Sequence, residues 1–322
     1  MIHMRAAVLV LVFLSLSIIN GPAALHAHQD PEQAGYIAVE GGKIWYRMNG
    51  MEHLGKKAAL IVLHGGPGGT HRSNMPLVEL ADERPVILYD QLDTGNSLRT
   101  NNPKNWTVSR FLSEIDSIRA ALNVKEVIVL GHSWGGTLAA EYAIKRPEGL
   151  KAVILSSPLI DTRRWINDAD IWRSQLPPKV EERLRHHEAE GTTNSAEYRA
   201  AEQVFLSRHM CRKNPCPGEG FRADGPDWNP KLYEYMWGPT EFHATGTLRN
   251  YNISGKLPLI TVPSLVICGE YDEAAPRSCN YFGSLMQNSQ TFIVPNAGHA
   301  TMAENKDLYL QTVRDFIQKS GL

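Results

Sequence analysis

Short runs rich in valine and isoleucine recur along this chain of 322 residues, and segments with helical patterns separate them. Each run spans four to six residues, which is too short for a helix but suits a strand that is buried on both faces. Buried strands that alternate with helices are typical of a mostly parallel sheet with helices on both faces, so we predict an α/β fold. The predicted strands are residues 58–63, 85–89, 126–130, 151–155, 264–268 and 291–294, and the clearest helices are 111–122, 134–144 and 308–318.

The alternation stops in residues 158–251, which are charged, aromatic and favourable to helix. We interpret this segment as a helical cap that is inserted into the sheet domain. The core is then discontinuous, with a first part at residues 35–157 and a second part at 252–322. A hairpin opens the first part, because alternating residues flank a turn at Gly41 and Gly42.

Composition and motif content exclude several classes of partner. The formal net charge is −1 and no run of five or more like charges occurs, so electrostatics favour neither nucleic acid nor an anionic membrane. The glycine-rich segments match neither G-x-G-x-x-G nor G-x-x-x-x-G-K-[ST], and no H-E-x-x-H or paired C-x-x-C occurs. We therefore expect no cofactor and no metal, and a small neutral compound or a peptide as substrate.

The N-terminus has the pattern of a secretory signal peptide. Arg5 precedes an apolar run at residues 6–19, and small residues follow as far as Ala27. A fourteen-residue run is short for a membrane span, which needs about 20 residues, although an uncleaved anchor is the alternative. We expect residues 1–27 to be removed and the mature chain to be exported, either to the periplasm or beyond it, without a membrane attachment.

Export makes the four cysteines candidates for disulfides. Cys211 and Cys216 lie five positions apart in a loop-like stretch, where two Cα atoms easily come within bridging range. We predict a disulfide between them. Cys268, at the end of a predicted strand, and Cys279 are interpreted as buried thiols that pack as small hydrophobic residues.

The predicted strand at residues 126–130 runs directly into the sequence GHSWGG and then into a helix. This is G-x-S-x-G in its strand–turn–helix context, where the flanking glycines permit a strained turn that presents the serine hydroxyl above the sheet. The alternative is an ordinary glycine-rich turn without a catalytic role, but such a turn does not need to lie between a buried strand and a helix. We predict that Ser133 is a nucleophile.

A serine hydroxyl needs an adjacent base, and a carboxylate must hold that base in one tautomer. In a strand–turn–helix arrangement of this kind the acid and then the histidine follow the serine along the chain. Asp272 follows the predicted strand 264–268 and His299 follows 291–294, so both lie at the same sheet edge as Ser133. We predict that His299 is the general base and that Asp272 orients it.

The other histidines fit the role of the base less well. The side chain of His132 should leave the turn in another direction than that of its neighbour, the predicted nucleophile. His186 and His187 lie in a charged cap helix and are expected to be solvated. His64 opens a glycine-rich loop and is expected to brace it.

That glycine-rich loop, HGGPG, follows the predicted strand 58–63, where a fold of this kind places one donor to a developing oxyanion. The second donor is the amide of the residue after the nucleophile. We therefore predict an oxyanion site formed by the main-chain N–H groups of Gly66 and Trp134.

Five segments carry a more specific signal, namely HGGPGG at 64–69, YDQLDTGNS at 89–97, GHSWGG at 131–136, MWGPTEF at 236–242 and GEYDEAAP at 269–276. Together they resemble the prolyl iminopeptidase (proline aminopeptidase) family of α/β-hydrolases, and the resemblance covers nearly the whole mature chain. Members of the family usually have glycine where this chain has Asp93, a residue type that tolerates left-handed conformations.

The resemblance implies an α/β-hydrolase fold with a helical cap and a serine aminopeptidase, which removes one N-terminal residue, best known as proline, through an acyl-enzyme. Members of the family hold the free amine on carboxylates, and the motif match assigns that role to Glu241 and Glu273. A protonated amine in a water-poor cleft must be paired, which agrees with this assignment. Trp237 and Phe242 would wall the pocket for the first side chain of a peptide or aminoacyl substrate.

Two alternatives remain at the level of sequence. An amino-acid amidase or esterase would use the same triad, but it would have no need of an amine anchor at Glu241 and Glu273. A catalytically inactive binding protein on the same fold is disfavoured, because the serine turn, the acid, the histidine and the glycine-rich loop are all intact.

Overall fold

The computed structural model describes residues 30–217 and 227–322. The predicted signal peptide at residues 1–27 lies outside the described residues. Within the two described ranges, no helix combines the length and the apolar character that crossing a membrane requires.

A mostly parallel sheet forms the centre of the fold. Its strands are β1 (Gln33–Val39), β2 (Gly42–Asn49), β3 (Ala59–Leu63), β4 (Val86–Asp90), β5 (Val127–His132), β6 (Leu150–Ser156), β7 (Ser264–Gly269) and β8 (Ser289–Val294). They are ordered β1-β2-β4-β3-β5-β6-β7-β8. β2 pairs antiparallel with β1 and β4, and the other neighbours pair in parallel. The predicted α/β fold is confirmed.

Helices pack on both faces of this sheet. Successive residues of a strand point to opposite faces, and the two faces are buried in two separate apolar clusters. Ile61 of β3 packs in the cluster that contains Phe111, whereas its neighbour Leu60 packs in the cluster that contains Phe316. The helices are α1 (Val108–Ala121), α2 (Trp134–Ile144), α3 (Thr162–Arg173), α4 (Pro178–Ala189), α5 (Ala196–His209), α6 (Pro230–Met236), α7 (Pro276–Leu285), α8 (Thr301–Glu304) and α9 (Lys306–Lys319).

Helices α3 to α6 lie between β6 and β7 along the chain, in the segment that the sequence assigns to the cap. Residues of α3, α4 and α5 share an apolar cluster that is separate from those on the sheet, whereas the buried residues of α6 pack in the cluster on one face of the sheet. The buried members of the separate cluster are Ala169, Leu176, Leu184, Tyr198, Ala201, Phe205 and Phe242. A buried ion pair between Arg173 and Glu188, with nitrogen and oxygen 2.9 Å apart, ties α3 to α4.

All four cysteines form disulfides. Cys211 is joined to Cys216, with the two Cα atoms 5.9 Å apart. Cys268 is joined to Cys279, with the Cα atoms 6.7 Å apart. The interpretation of these last two residues as separate buried thiols was therefore wrong. The loop that follows β7 turns back and lays the first turns of α7 against the end of that strand, which brings the two sulfur atoms together.

Candidate active site

Ser133 lies in a tight turn between β5 and α2, with φ 56° and ψ −119°. A residue with a side chain rarely adopts a positive φ, so the turn is strained and depends on its surroundings. Glycines supply the required space, because a Cβ atom at Gly131 would collide with the carbonyl of Gly135, and one at Gly135 would collide with the carbonyl of Leu63. The turn presents the partly exposed Ser133 side chain at the carboxyl end of β5.

Asp272 is fully buried in the loop after β7 and accepts hydrogen bonds on both carboxylate oxygens. Its Oδ2 accepts from the Ser157 hydroxyl at 2.5 Å and from the Gly269 N–H at 3.2 Å. Its Oδ1 accepts from the Ala274 N–H at 2.8 Å and from Nδ1 of His299 at 2.7 Å. Because these donors compensate the buried charge, the carboxylate is held in a single orientation.

His299 follows β8 and is 3% exposed. Its ring donates from Nδ1 to Asp272, so Nε2 is the nitrogen that is left to accept a proton. Its main-chain carbonyl accepts from Nε2 of His132 at 3.0 Å, and the two imidazole rings are 4.7 Å apart. Because Ser133 directly follows His132, this contact fixes the serine turn beside the His299 loop.

His132 itself is poorly suited to act as a base. Burial, together with the nearby charge of His299, lowers the pKa of His132 to about 3. At this pKa the ring is neutral near pH 7, and its Nε2 contributes a structural hydrogen bond to the His299 carbonyl.

The glycine-rich loop after β3 lies against the serine turn. A Cβ atom on Gly65 would come within 3.2 Å of the Ser133 Cβ atom, so a side chain there would require the serine turn or the loop to shift. The next residue, Gly66, has φ 120°. Trp134 is the first residue of α2, where main-chain N–H groups have no partner within the helix.

Gln91 braces this loop, a role that the sequence analysis did not assign. Its main-chain N–H donates to Nε2 of His64 at 3.0 Å, and its side-chain amide donates to the His64 carbonyl at 3.0 Å. Its side-chain oxygen accepts from the Trp134 indole at 2.9 Å. Burial lowers the pKa of His64 to about 4, so this ring stays neutral and can accept from Gln91.

An acidic cluster lies next to His299. Glu273 is 2% exposed, its Oε1 is 3.7 Å from Nε2 of His299, and its Oε2 is buried without a hydrogen-bond partner among the described residues. Burial, and then the negative charge of Glu241, raise the pKa of Glu273 well above its usual range. Burial also raises the pKa of Glu241, against the opposing influence of the Tyr233 hydroxyl and of His299.

The third member of the cluster, Glu202 on α5, was missed by sequence reasoning. Burial and the charge of Glu241 raise the pKa of Glu202 to about 7. Its only sequence signal is an acidic residue in an amphipathic cap helix, which ordinarily predicts a solvated side chain. Three carboxyl groups with raised pKa values therefore share one region beside the His299 ring.

Aromatic residues of the cap segment pack close to the His299 ring. Trp237 is 3% exposed, and its ring is 6.2 Å from the Trp165 ring, which in turn lies perpendicular to the His299 ring at 5.6 Å. Phe242 packs on Phe205 at 4.8 Å within the cap cluster, and its place in the pocket wall stays a prediction. Trp165, which the sequence analysis did not single out, is the aromatic residue beside the imidazole.

Comparison with known proteins agrees with this geometry. Residues 58–306 match the family described as "alpha/beta hydrolase fold", and the chain is an α/β hydrolase. The proline iminopeptidase of Heyndrickxia coagulans is 39% identical over 283 residues, which cover 88% of this chain and 98% of that protein. The chain belongs to the proline iminopeptidase family.

Two solved structures are similar over nearly the same extent. The proline iminopeptidase of Mycobacterium smegmatis has a TM-score of 0.82 and 34% identity, with 89% of this chain and 98% of that chain covered. The structure of VinJ has a TM-score of 0.85 and 33% identity, with 90% of this chain and 99% of that chain covered. Both likenesses include the cap as well as the sheet, because coverage of this extent leaves no room to omit residues 158–251.

Proposed function

We propose that this protein is a serine aminopeptidase that releases N-terminal proline from peptides. The observation that carries the proposal is the Glu273 carboxyl group, whose Oε1 lies 3.7 Å from Nε2 of His299 and whose buried Oε2 has no hydrogen-bond partner in the part of the chain that the structure describes. A buried carboxylate is costly unless a cation or a donor pairs with it, and the protonated N-terminus of a peptide is such a cation. Because the carbonyl carbon of a residue is two bonds from its own nitrogen, an amine held by Glu273 brings the first peptide bond to the predicted base.

The first half of the reaction forms an acyl-enzyme. His299 takes the proton of the Ser133 hydroxyl at Nε2 as the oxygen attacks the carbonyl carbon of the first residue. Asp272 accepts from Nδ1 and stabilises the imidazolium that results. The N–H groups of Gly66 and Trp134 stabilise the oxyanion, and His299 then donates its proton to the departing nitrogen of the second residue.

The second half releases the first residue. A water molecule gives a proton to His299 and attacks the ester on Ser133, after which the serine oxygen leaves and recovers its proton. The amine remains on the glutamates throughout, so only a single residue with a free N-terminus fits between the anchor and the nucleophile. The arrangement therefore favours removal of one residue at a time.

Proline as the preferred residue has two lines of support. The relatives at 39% and 34% identity are named proline iminopeptidase. A protonated N-terminal proline also carries two N–H bonds, which can be donated to two carboxylates, and Glu241 and Glu273 supply that pair. Trp237 and Trp165 offer apolar surface to the pyrrolidine ring.

Three substrates test the proposal on the purified protein. We expect hydrolysis of proline β-naphthylamide with a kcat/KM at least about 100-fold above that of its N-acetylated form, since acetylation removes the cation that the glutamates pair with. p-Nitrophenyl acetate has no amine, so its hydrolysis measures the activity of Ser133, Asp272 and His299 without a contribution from amine binding. Equal hydrolysis of the free and acetylated amides, or hydrolysis of the ester alone, would replace this proposal by an amidase or esterase.

We also propose that the protein is exported and that its mature form begins near His28. The signal-peptide pattern at residues 1–27 supports this, as does the pairing of all four cysteines, because disulfides persist mainly in oxidising compartments. N-terminal sequencing of the protein recovered from cell fractions tests it. An uncleaved N-terminus in the membrane fraction would contradict it.

A further inference from the structure

His209, the last residue of α5, contacts the loops of both the predicted acid and the predicted base. Its main-chain carbonyl accepts from the N–H of His299 at 2.8 Å. Its ring nitrogen Nδ1 lies 2.8 Å from the carbonyl of Tyr271, the residue before Asp272. A single cap residue therefore joins the two loops whose relative position decides the geometry of the acid and the base.

Neighbouring contacts extend this attachment on the side of His299. The carbonyl of Met210 accepts from the N–H of Ala300 at 2.7 Å. The carboxylate of Glu304 accepts from the N–H of Arg212 and from that of Gly298, each at 2.6 Å. The chain that leaves α5 is thus bonded directly to Ala300 and is linked to Gly298 through the Glu304 carboxylate. This chain carries the Cys211–Cys216 disulfide.

Trp172 of α3 completes the attachment on the side of Asp272. Its indole N–H donates to the Asp272 carbonyl at 2.9 Å, and its ring stacks on the His209 ring with the centroids 4.6 Å apart. Two helices of the cap therefore hold the backbone of the acid loop from the same side.

The hydrogen bond of the His209 ring defines which nitrogen carries the hydrogen. A carbonyl can only accept, so Nδ1 carries the hydrogen that is donated to Tyr271. The residue is 5% exposed, and burial lowers the pKa of its ring, which favours the neutral form. The contact is thus a directed hydrogen bond from a fixed tautomer and does not depend on an ion pair.

We propose that His209 is a positioning residue for the triad, which holds the loop of Asp272 against the loop of His299 through its Nδ1–H bond to Tyr271. This rests on the proposed function insofar as it takes Asp272 and His299 as acid and base. The cap is then part of the machinery that aligns the base, in addition to covering the substrate. Misalignment of about 1 Å in a site of this kind costs on the order of 10²-fold in rate.

Two substitutions with the same side-chain branching separate positioning from packing. His209→Asn places an amide N–H close to the position of Nδ1, whereas His209→Leu has the same number of side-chain heavy atoms, also branches at Cγ and has no donor. We expect His209→Leu to lower kcat by roughly 10- to 100-fold with KM within about twofold of the parent, and His209→Asn to recover most of the loss. His186→Leu, at an exposed cap histidine, is the control and should leave kcat unchanged.

Both proline β-naphthylamide and p-nitrophenyl acetate should be assayed, with thermal unfolding of every variant. A misaligned triad lowers kcat on both substrates by a similar factor, so the result on the ester remains informative even if the parent fails to cleave the amide and the aminopeptidase proposal falls. If His209→Leu does not fold, His209→Gln, whose N–H lies one bond further out, replaces it and should show the same loss relative to Asn. Equal kcat values for the Asn variant and for the Leu variant, or for the Gln variant where it replaces Leu, would overturn the proposal, as would a change in KM alone.

Discussion

Glu202→Gln should stabilise the protein at alkaline pH, although it alters the proposed substrate site. Burial and the charge of Glu241 raise the pKa of Glu202 from 4.5 to about 7. Between these two values the folded protein holds a proton that the unfolded chain has released. The free energy of unfolding therefore falls as pH rises through this window, and the loss is complete above pH 7.

The size of the effect follows from the shift. Each pKa unit corresponds to 1.36 kcal/mol, so a shift from 4.5 to about 7 costs at most about 3 kcal/mol at pH 8. Solvent reaches part of the Glu202 side chain, and we therefore expect the glutamine variant to gain about 1–3 kcal/mol at pH 8. Below pH 4.5 the carboxyl is protonated in both states, and the gain should vanish because glutamine resembles the neutral acid.

Thermal unfolding of the parent and the variant at pH 4.5, 6 and 8 measures this difference. A gain of 1–3 kcal/mol corresponds to roughly 2–6 °C in Tm for a protein of this size. Glu197→Gln, at an exposed position on the same helix, is the matched control and should change Tm little at any pH. A Glu202→Gln variant whose Tm difference does not depend on pH, or is larger at pH 4.5 than at pH 8, would refute the reasoning.

Three further outcomes are expected. Ser133→Ala should lower kcat by roughly 10⁴-fold or more without loss of folding, and a variant that keeps a tenth of the activity would exclude Ser133 as nucleophile. His299→Ala should lower kcat to a similar extent, whereas His132→Ala should keep the general base and therefore more of the activity. If both variants fold and lose activity equally, the choice of His299 as the base would be open again. In mass spectrometry of the denatured mature protein, alkylation should modify all four cysteines only after reduction, and a free thiol at Cys211 or Cys216 beforehand would remove that disulfide.

The parts of the fold that depend on local chemistry could be predicted from the sequence. Strands buried on both faces leave a continuous apolar run, and each candidate of the triad directly follows such a run, so the shared sheet edge could be deduced. Boundaries were less accurate. α1 begins at Val108, three residues before the predicted start, because the Thr107 side chain caps it by accepting from the Arg110 N–H. The hydrophobic pattern, which begins at Phe111, does not report that capping bond.

Contacts between distant segments could not be predicted in the same way. Ser157 donates to Asp272 from 115 positions away, and Gln91 bonds to Trp134 across 43 positions. Ser157 stands in no spacing that distinguishes it from an ordinary polar residue, and Gln91 lies in the segment YDQLDTGNS, whose resemblance to the family does not by itself assign its bonds to His64 and Trp134. The pairing of Cys268 with Cys279 also depends on how the loop after β7 folds back, which no local pattern specifies. The order of the strands and the paths of the loops bring these partners together, and local sequence preferences do not specify them.

The acidic cluster differs from most buried charged groups, because one carboxyl oxygen of Glu273 has no hydrogen-bond partner among the described residues. This difference bears on the proposed function. Asp272 and Glu273 are adjacent and equally buried, yet Asp272 has four donors while Oε2 of Glu273 has none among the described residues. The same stretch of chain supplies two main-chain donors, Gly269 and Ala274, to Asp272. The lack of a donor to Oε2 of Glu273 is therefore not a general shortage of donors in this part of the fold. A carboxylate left unpaired at this position is less stable without substrate than with a cation bound, so the free energy of pairing becomes available for binding an amine. On the proposed function, Asp272 is paired within the fold so that it can orient His299, and Glu273 is left to pair with the substrate amine.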